Sequence, residues 1–242
     1  HMKWSLKTKK TPKNLEELKK ILFDNRKIKG QLETFFNPIN PMDITLKEVD
    51  LDEKQLKEII KRIKQAKNNK EYIVIFGDYD ADGICASAIL WQTLFEMGCD
   101  VKPFIPHRQN HGYGVSIKAI DTIMADKKPD LIITVDNGIV ANEPVDYIKK
   151  LGIDVIITDH HQPEIEEDKN VFPNADFVFH STKLCGATVA WMLSREIVKA
   201  ENKVAKDDDQ KIVSKDLPEK MLDLCAIATI ADQVKLFGAN RS

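Results

Sequence analysis

YIVIFGDYDADG, residues 72–83, decides the fold. Ile73 to Phe76 are four apolar residues in a row with no polar face, which reads as a strand buried on both sides. The run stops at three carboxylates on alternate positions, Asp78, Asp80 and Asp82, and then a glycine, Gly83. The following ICASAILWQTLFEMG has helical length and apolar spacing and stops at Gly98. Strand, acidic turn and helix in succession is how a parallel α/β sheet places its chemistry, outside the carboxyl end of a strand. Three acids in five residues repel one another unless solvated or neutralised by a cation, so the turn asks for a metal. An EF-hand loop opens with the same acids but needs a bidentate Glu at its twelfth position. That residue here is Ile89, which excludes the calcium loop.

Outward from this stretch, Asp52 reads as an N-cap with Gln55 three residues on, and Leu56, Ile59, Ile60 and Ile63 predict a helix to about Lys67. Leu15, Leu18, Ile21 and Leu22 suggest a shorter helix over 12–23, and the prolines of NPINP (37–41) impose an extended or turn segment. Downstream the alternation repeats. Strands are predicted at 101–105, 131–135 and 154–158, with helices at 116–126 (capped by Ser116) and 143–151. Residues 162–183 read as irregular, 186–198 as a helix, 199–217 as a charged exposed insertion and 217–231 as an apolar helix. The expected fold is α/β, a doubly wound, mainly parallel sheet flanked by helices.

Length and composition agree. The 242 residues, 43% of them hydrophobic, suffice for a sizeable core. No apolar run approaches the roughly 18 residues of a membrane span, and the lysine-rich start lacks the apolar core of a secretory signal. Cys85, Cys99, Cys185 and Cys225 are far apart in apolar contexts, as suits reduced, packed thiols in the cytoplasm better than a disulfide framework or zinc site. Net charge is −2, but residues 1–30 carry a local excess of +7, an arm that could touch a nucleic-acid backbone or simply be solvated.

Three strands end in polar clusters: Asp78 to Asp82, then Asp136-Asn137-Gly138, then Asp159-His160-His161. In a parallel sheet those ends share one edge, so the clusters converge in space. Carboxylates mixed with imidazole suit Mn²⁺ or a similar divalent ion better than calcium. Asp232, at the end of an otherwise apolar helix, needs a partner there; a metal or a structural hydrogen bond would each serve.

DYDADG, VDNG and DHH, in this order and spacing, resemble the DHH phosphoesterase superfamily, and most of all its RecJ branch of single-strand-specific exonucleases. GYG at 112–114, LCGATVAW at 184–191 and ATIADQVKLFGANR at 228–241 fit the same branch, so the resemblance runs from about residue 35 to the end. It implies a metal, Mn²⁺ or Mg²⁺, held firmly by Asp82, Asp136, His160 and Asp232. A second, weaker one lies on Asp80 with Asp136 bridging. His161 then contacts the scissile phosphate or assists proton transfer, and Asp159 orients the histidines. Superfamily members with two firm metals often carry a His four residues before the second motif-one Asp; here that residue is Phe76, so the second site loses a ligand. Gly83 and Gly186 are expected to let backbone N–H groups approach a phosphate. Arg108 is assigned to phosphate binding and Tyr113 to base stacking.

The implied activity is metal-dependent hydrolysis of single-stranded DNA from its 5′ end in recombination and repair. The ion neutralises phosphate oxygens and acidifies water. The alternatives are the same chemistry on a short oligoribonucleotide, cyclic dinucleotide or pyrophosphate, and a silent scaffold, which would have no use for the acidic and histidine clusters. Single-stranded DNA is the expected partner, a single-strand binding protein is suggested by the family, and a monomer is expected. Residues 1–50 read as a basic arm and lead-in, and 51–242 as the catalytic DHH domain. With the cloning remnant His1 and no second DHHA1 domain, the chain reads as a fragment of a longer protein, able to fold and bind metal but weak in substrate affinity and turnover.

Overall fold

The computed structural model describes residues 3–28, 35–204 and 213–242. Among the described residues seven strands follow one another: β1 (Tyr72–Phe76), β2 (Asp100–Phe104), β3 (Leu131–Val135), β4 (Asp154–Asp159), β5 (Glu164–Glu166), β6 (Lys169–Val171) and β7 (Phe177–His180). Five of them form one sheet in the order β2-β1-β3-β4-β7, with every neighbouring pair parallel. All residues of β1 and β3 are buried, as their unbroken apolar runs require. From β1 the chain crosses to β2 on one side and returns to place β3 on the other. The order therefore reverses between β1 and β3, which opens a crevice at their carboxyl ends.

β2 is an edge strand and mostly exposed. The Gly77 N–H donates to the Phe104 carbonyl (3.0 Å), so Phe104 faces β1. Its neighbour Pro103 thus turns its hydrogen-less nitrogen to the open edge, where no ladder bond is lost.

Among the described residues nine α-helices accompany the strands: α1 (Leu15–Arg26), α2 (Glu53–Asn69), α3 (Ala81–Glu96), α4 (Arg108–His111), α5 (Ile117–Asp126), α6 (Asn142–Lys150), α7 (Gly186–Val204), α8 (Leu217–Lys220) and α9 (Leu222–Ala231). On one sheet face Val74, Phe76, Ile132, Val155 and Ile157 pack with Ala119, Ile120 and Ile123 of α5 and Val145 and Ile148 of α6. Ile73, Ile75, Ile133 and Ile156 alternate to the other face, where α3 and α7 pack, and α9 lies against both helices. Asp52 caps α2 as expected, accepting from the N–H groups of Lys54 and Gln55. Gln55 does not reach back to close a capping box: its amide oxygen accepts from Val178 N–H (3.2 Å) and ties α2 to β7.

The expectation of irregular chain over 162–183 is corrected. β7 completes the sheet, but it is four residues at an edge, three of them half-buried and only Phe179 buried, without a long apolar run. β5 and β6 form an antiparallel hairpin, and β5 exposes Glu164, Ile165 and Glu166 alike, so no alternation marks it. α7 runs to Val204, into the stretch expected to be an exposed insertion; residues 205–212 of that stretch lie outside the described residues.

The chain divides into two compact units, Ile44–Lys235, which holds the sheet, and His1–Asp43 with Leu236–Ser242. In the smaller unit α1 is capped by Asn14, and Phe23, Phe35 and Phe36 meet edge to face. Arg241 stacks its guanidinium 3.6 Å from the Phe35 ring centroid and donates to the Phe35 carbonyl.

The hairpin loop holds two non-glycine residues in the left-handed region, Glu167 (φ 47°) and Asp168 (φ 62°), between the paired Glu166 and Lys169. Such two-residue loops favour Asn-Gly. Replacing Glu167→Asn together with Asp168→Gly is expected to stabilise the hairpin by about 1 kcal/mol. Slower amide exchange at Glu166 and Lys169 would show this; unchanged exchange would mean the loop stores no strain.

Candidate metal centre

β1 delivers Asp78 and, through the turn, Asp80 and Asp82 at the start of α3. β3 delivers Asp136, β4 ends on Asp159 with His160 and His161 following, and α9 ends one residue before Asp232. All four arrive at the carboxyl edge of the sheet, around the β1/β3 crevice. His160 Nε2 lies 3.2 Å from Asp136 Oδ1, 3.6 Å from Asp82 Oδ2 and 3.8 Å from Asp232 Oδ2. The four residues expected to hold the firm ion are thus brought together.

Their environments separate ligands from supports. Both Asp82 oxygens accept backbone N–H bonds, from Gly186 (2.7 Å) and Ala187 (2.6 Å) at the start of α7, so this carboxylate also clamps α7 onto α3. Burial still raises its pKa. Asp136 Oδ1 and His160 Nε2 are both buried and, though near each other, are not aligned to share a hydrogen bond; neither has another partner among the described residues. Two orphaned ligand atoms converging on one point, with two more carboxylates beside them, fit a divalent cation that accepts nitrogen and oxygen. Burial pushes the pKa of Asp136 up to about 7, Asp82 and Asp80 push it further, and the neighbouring His160 opposes them.

Asp159 is the contrast. It is as deeply buried, but its Oδ2 accepts from Ile139 N–H (2.9 Å) and its Oδ1 from His160 N–H (2.7 Å), His161 N–H (3.2 Å) and His161 Nδ1 (2.8 Å). Burial alone would raise its pKa; the hydrogen bonds and the His161 charge outweigh that and lower it. The bond to Asp159, against the opposing effect of burial, lifts His161 to about 9. Asp159 therefore holds the ring of His161 only. The expectation that it orients both histidine rings is corrected, because it meets His160 through the backbone.

The two glycines also take a different part from the one expected. Gly83 N–H is already donated to Asp80 Oδ1 (2.9 Å), the N-cap of α3, and a Cβ at Gly83 would sit 2.7 Å from the Asp78 backbone. Gly186 N–H goes to Asp82, and a Cβ there would fall 2.4 Å from Asp136 Oδ1. Neither N–H is left for a phosphate. Both glycines exist so that backbone and carboxylate can touch.

Three residues of the polar clusters received no individual role from the sequence. Asp78, buried, groups with Asp80 and Asp136 so that one oxygen of each lies within 4.8 Å of the others, which gives a second set of donors. Its position inside DYDADG was the available signal. Tyr79 lies under Arg108, whose guanidinium is 5.5 Å from the ring centroid, and meets Tyr113 edge-on at 6.4 Å. Tyr113 is largely exposed, yet partial burial and the acids Asp78, Asp136 and Asp159 push its pKa up to about 12. Asn137, buried next to Asp136, leaves both amide atoms without a partner among the described residues. His107, by contrast, gives only its backbone N–H to His111 Nδ1 in the α4 turn.

A doubly wound sheet thus brings Asp82, Asp136, His160 and Asp232 together at its switch point, a donor set that a divalent metal ion accepts. The model of the DHH family, N-terminal domain, matches residues 72–229, and the chain belongs to the DHH family. It is similar to the single-stranded-DNA-specific exonuclease RecJ of Bacillus subtilis, 38% identical over 194 residues that make up 78% of this chain and 22% of that one. It superposes on a crystal structure of exonuclease RecJ bound to manganese with a TM-score of 0.65 at 31% identity, covering 84% of this chain and 47% of the other. A Thermus thermophilus RecJ structure in complex with Mn²⁺ gives 0.62 at 30%, covering 83% and 27%. The chain therefore spans between about a fifth and a half of the length of these relatives.

Gly186→Ala is expected to displace Asp136 and to weaken divalent-ion binding by at least tenfold, with about 1–3 kcal/mol of overpacking. Calorimetry with Mn²⁺ and a thermal melt measure the two; unaltered affinity would mean that Asp136 is not a ligand. The sign for Asp136 itself follows from its raised pKa. Without an ion, its contribution to stability falls as pH rises from the unfolded carboxylate range to about 7, and a bound cation removes that loss. The melting shift caused by Mn²⁺ should thus be larger at pH 8 than at pH 5.5.

Proposed function

We propose that this chain is the catalytic domain of a metal-dependent exonuclease that hydrolyses single-stranded DNA from the 5′ end, in recombination and repair. The observation that carries it is the pair of orphaned ligand atoms, Asp136 Oδ1 and His160 Nε2, facing one another between Asp82 and Asp232 at the switch of the sheet. The RecJ names of the relatives favour DNA over the small-substrate alternative.

In this reading Asp82, Asp136, His160 and Asp232 hold the firm ion, and Asp80 with Asp136, joined by Asp78, offers a weaker second place. A divalent ion there supplies the Lewis acidity that neutralises phosphate oxygens and lowers the pKa of water. Everything else is work for the side chains. His161, protonated and fixed through Nδ1 by Asp159, turns its Nε2 to the substrate side, where it binds a phosphate oxygen or gives the proton to the leaving oxygen. Arg108 brings a planar cation for a phosphate, and Tyr113 with Tyr79 offers rings on which a base stacks. The acids repel the nucleic-acid backbone, so these cationic and aromatic groups must anchor it.

The catalytic DHH domain is taken as residues 51–242, with 1–50 as a basic arm and lead-in whose last residues, 44–50, belong to the compact unit that holds the sheet. Four buried free cysteines suit the cytoplasm, and among the described residues no helix is long and apolar enough to cross a membrane. A monomer and a single-strand binding protein as partner complete the proposal.

Calorimetry with Mn²⁺ on the chain and on Asp136→Ala, with digestion of labelled single-stranded DNA alongside, tests this. Binding should vanish in the variant and Mn²⁺-dependent cleavage should accompany the parent. No binding by the parent sinks the reading. His161→Ala should keep Mn²⁺ affinity within about twofold while lowering cleavage by about 10²–10⁴; loss of both would move His161 into the ligand set.

A further inference from the structure

The turn that bears His160 and His161 is held from two sides, and only one of them belongs to the DHH motif. Asp159 takes the N–H groups of both histidines and the Nδ1 of His161. The remaining backbone group of His161, its carbonyl oxygen, meets His180 Nε2 at 2.7 Å. A carbonyl only accepts, so His180 carries its proton on Nε2. His180 is the last residue of β7 and stands opposite Asp159 in the parallel register. The pairing continues one residue further, where Ser181 N–H donates to the Asp159 carbonyl (3.2 Å). The Ser181 hydroxyl in turn donates to the Val49 carbonyl, which anchors the end of β7 to the short helical turn Lys47–Val49. The His180 ring also packs at 5.8 Å against Phe172, the residue that follows β6. Strand, anchor and ring contact thus aim one N–H at one carbonyl, just where the chain leaves the site for the exposed hairpin.

We propose that His180 is a positioning residue for His161, acting through the Nε2–H bond to the His161 carbonyl. Asp159 fixes where the ring of His161 points. His180 fixes the peptide that leaves His161, and so the backbone angles from which that ring is hung. A ring held only at Nδ1 could swing about that bond with the peptide; held at both ends, its Nε2 keeps one direction. The proposal rests on the functional reading given above for what Nε2 does there, but not for the clamp itself.

Two variants separate the hydrogen bond from simple packing. His180→Gln places an amide N–H near the position of Nε2 and loses the ring, whereas His180→Phe keeps a ring against Phe172 and loses the donor. Nitrogen-15 and proton spectra of the full chain, labelled at histidine, follow the Nδ1 proton of His161, which the bond to Asp159 protects from exchange. Mn²⁺ calorimetry and single-stranded DNA cleavage accompany them. The Phe variant should lose or broaden the His161 Nδ1 proton signal and lower kcat about tenfold, with KM and Mn²⁺ affinity within twofold, while the Gln variant stays near the parent in all four. A Phe variant with the parent signal and kcat, or a Gln variant as impaired as Phe, overturns the proposal. If the parent cleaves no DNA, the proposed function fails, and the His161 signal in the two variants still decides the role of His180.

Discussion

The centre depends on one electrostatic constraint: several carboxylates share a buried place where water cannot screen them. Each must find a donor or a cation. Asp159 and Asp136 are the two solutions side by side, one at the end of β4 and one just past β3, both with almost no exposure. Asp159 is surrounded by four donated bonds and titrates low. Asp136 keeps an oxygen with no donor and is pushed up toward neutrality. Since both are equally buried, the difference lies in the donated bonds and the neighbouring charges: His161 lowers Asp159, whereas Asp82 and Asp80 raise Asp136. It distinguishes a carboxylate that builds the site from one that waits for a ligand.

The same constraint explains how closely the backbone is drawn in. Asp136 itself sits in the left-handed region (φ 60°), a conformation of which Asp is more tolerant than most residues, and this turns its side chain from the end of β3 toward α7. Gly186 must then lack a Cβ, because Asp136 Oδ1 occupies that space. By giving its N–H to Asp82, Gly186 also couples the two carboxylates through one residue. A chain that places acid against acid has to thread backbone between them, and only glycine fits.

Much of this was legible in the sequence for a simple reason. Buried parallel strands are unbroken apolar runs, and the polar residues that end them lie on one edge by topology, so Asp82, Asp136 and His160 could be brought together without coordinates. Asp232, open between a structural role and a ligand on the residues alone and assigned to the metal only by the resemblance, is brought within reach of His160 by the packing of α9 on α3. What stayed hidden was whatever rests on distance rather than pattern. The roles of Gly83 and Gly186 depend on what lies within 3 Å of an absent atom. β7 was missed because an edge strand of four residues, only one of them fully buried, carries little periodicity, and with it went the bond from His180 to His161. Gln55 shows the same limit: its spacing from Asp52 is that of a capping box, but tertiary structure gives its side chain to Val178.

Position 76, where the resemblance leads one to expect a histidine, is used differently here. The side chain of Phe76 lies in the apolar cluster against α5 and packs on Phe104 at 5.4 Å, so this strand end belongs to the core rather than to the centre. Two residues on, with the strand finished, Asp78 stands beside Asp80 and Asp136 and contributes an oxygen where an imidazole would otherwise be sought. The two donor sets differ in kind as a result. The one around His160 includes nitrogen, which suits Mn²⁺ and its transition-metal neighbours, whereas the one around Asp78 is oxygen only, the set that hard ions such as Mg²⁺ accept while keeping most of their water. Burial raises the pKa of Asp78, so an ion entering there competes with a proton as well as with its own hydration. An oxygen-only site with a reluctant carboxylate is intrinsically the weaker of the two, and an anionic substrate that adds its own oxygens to the set is the natural way to fill it.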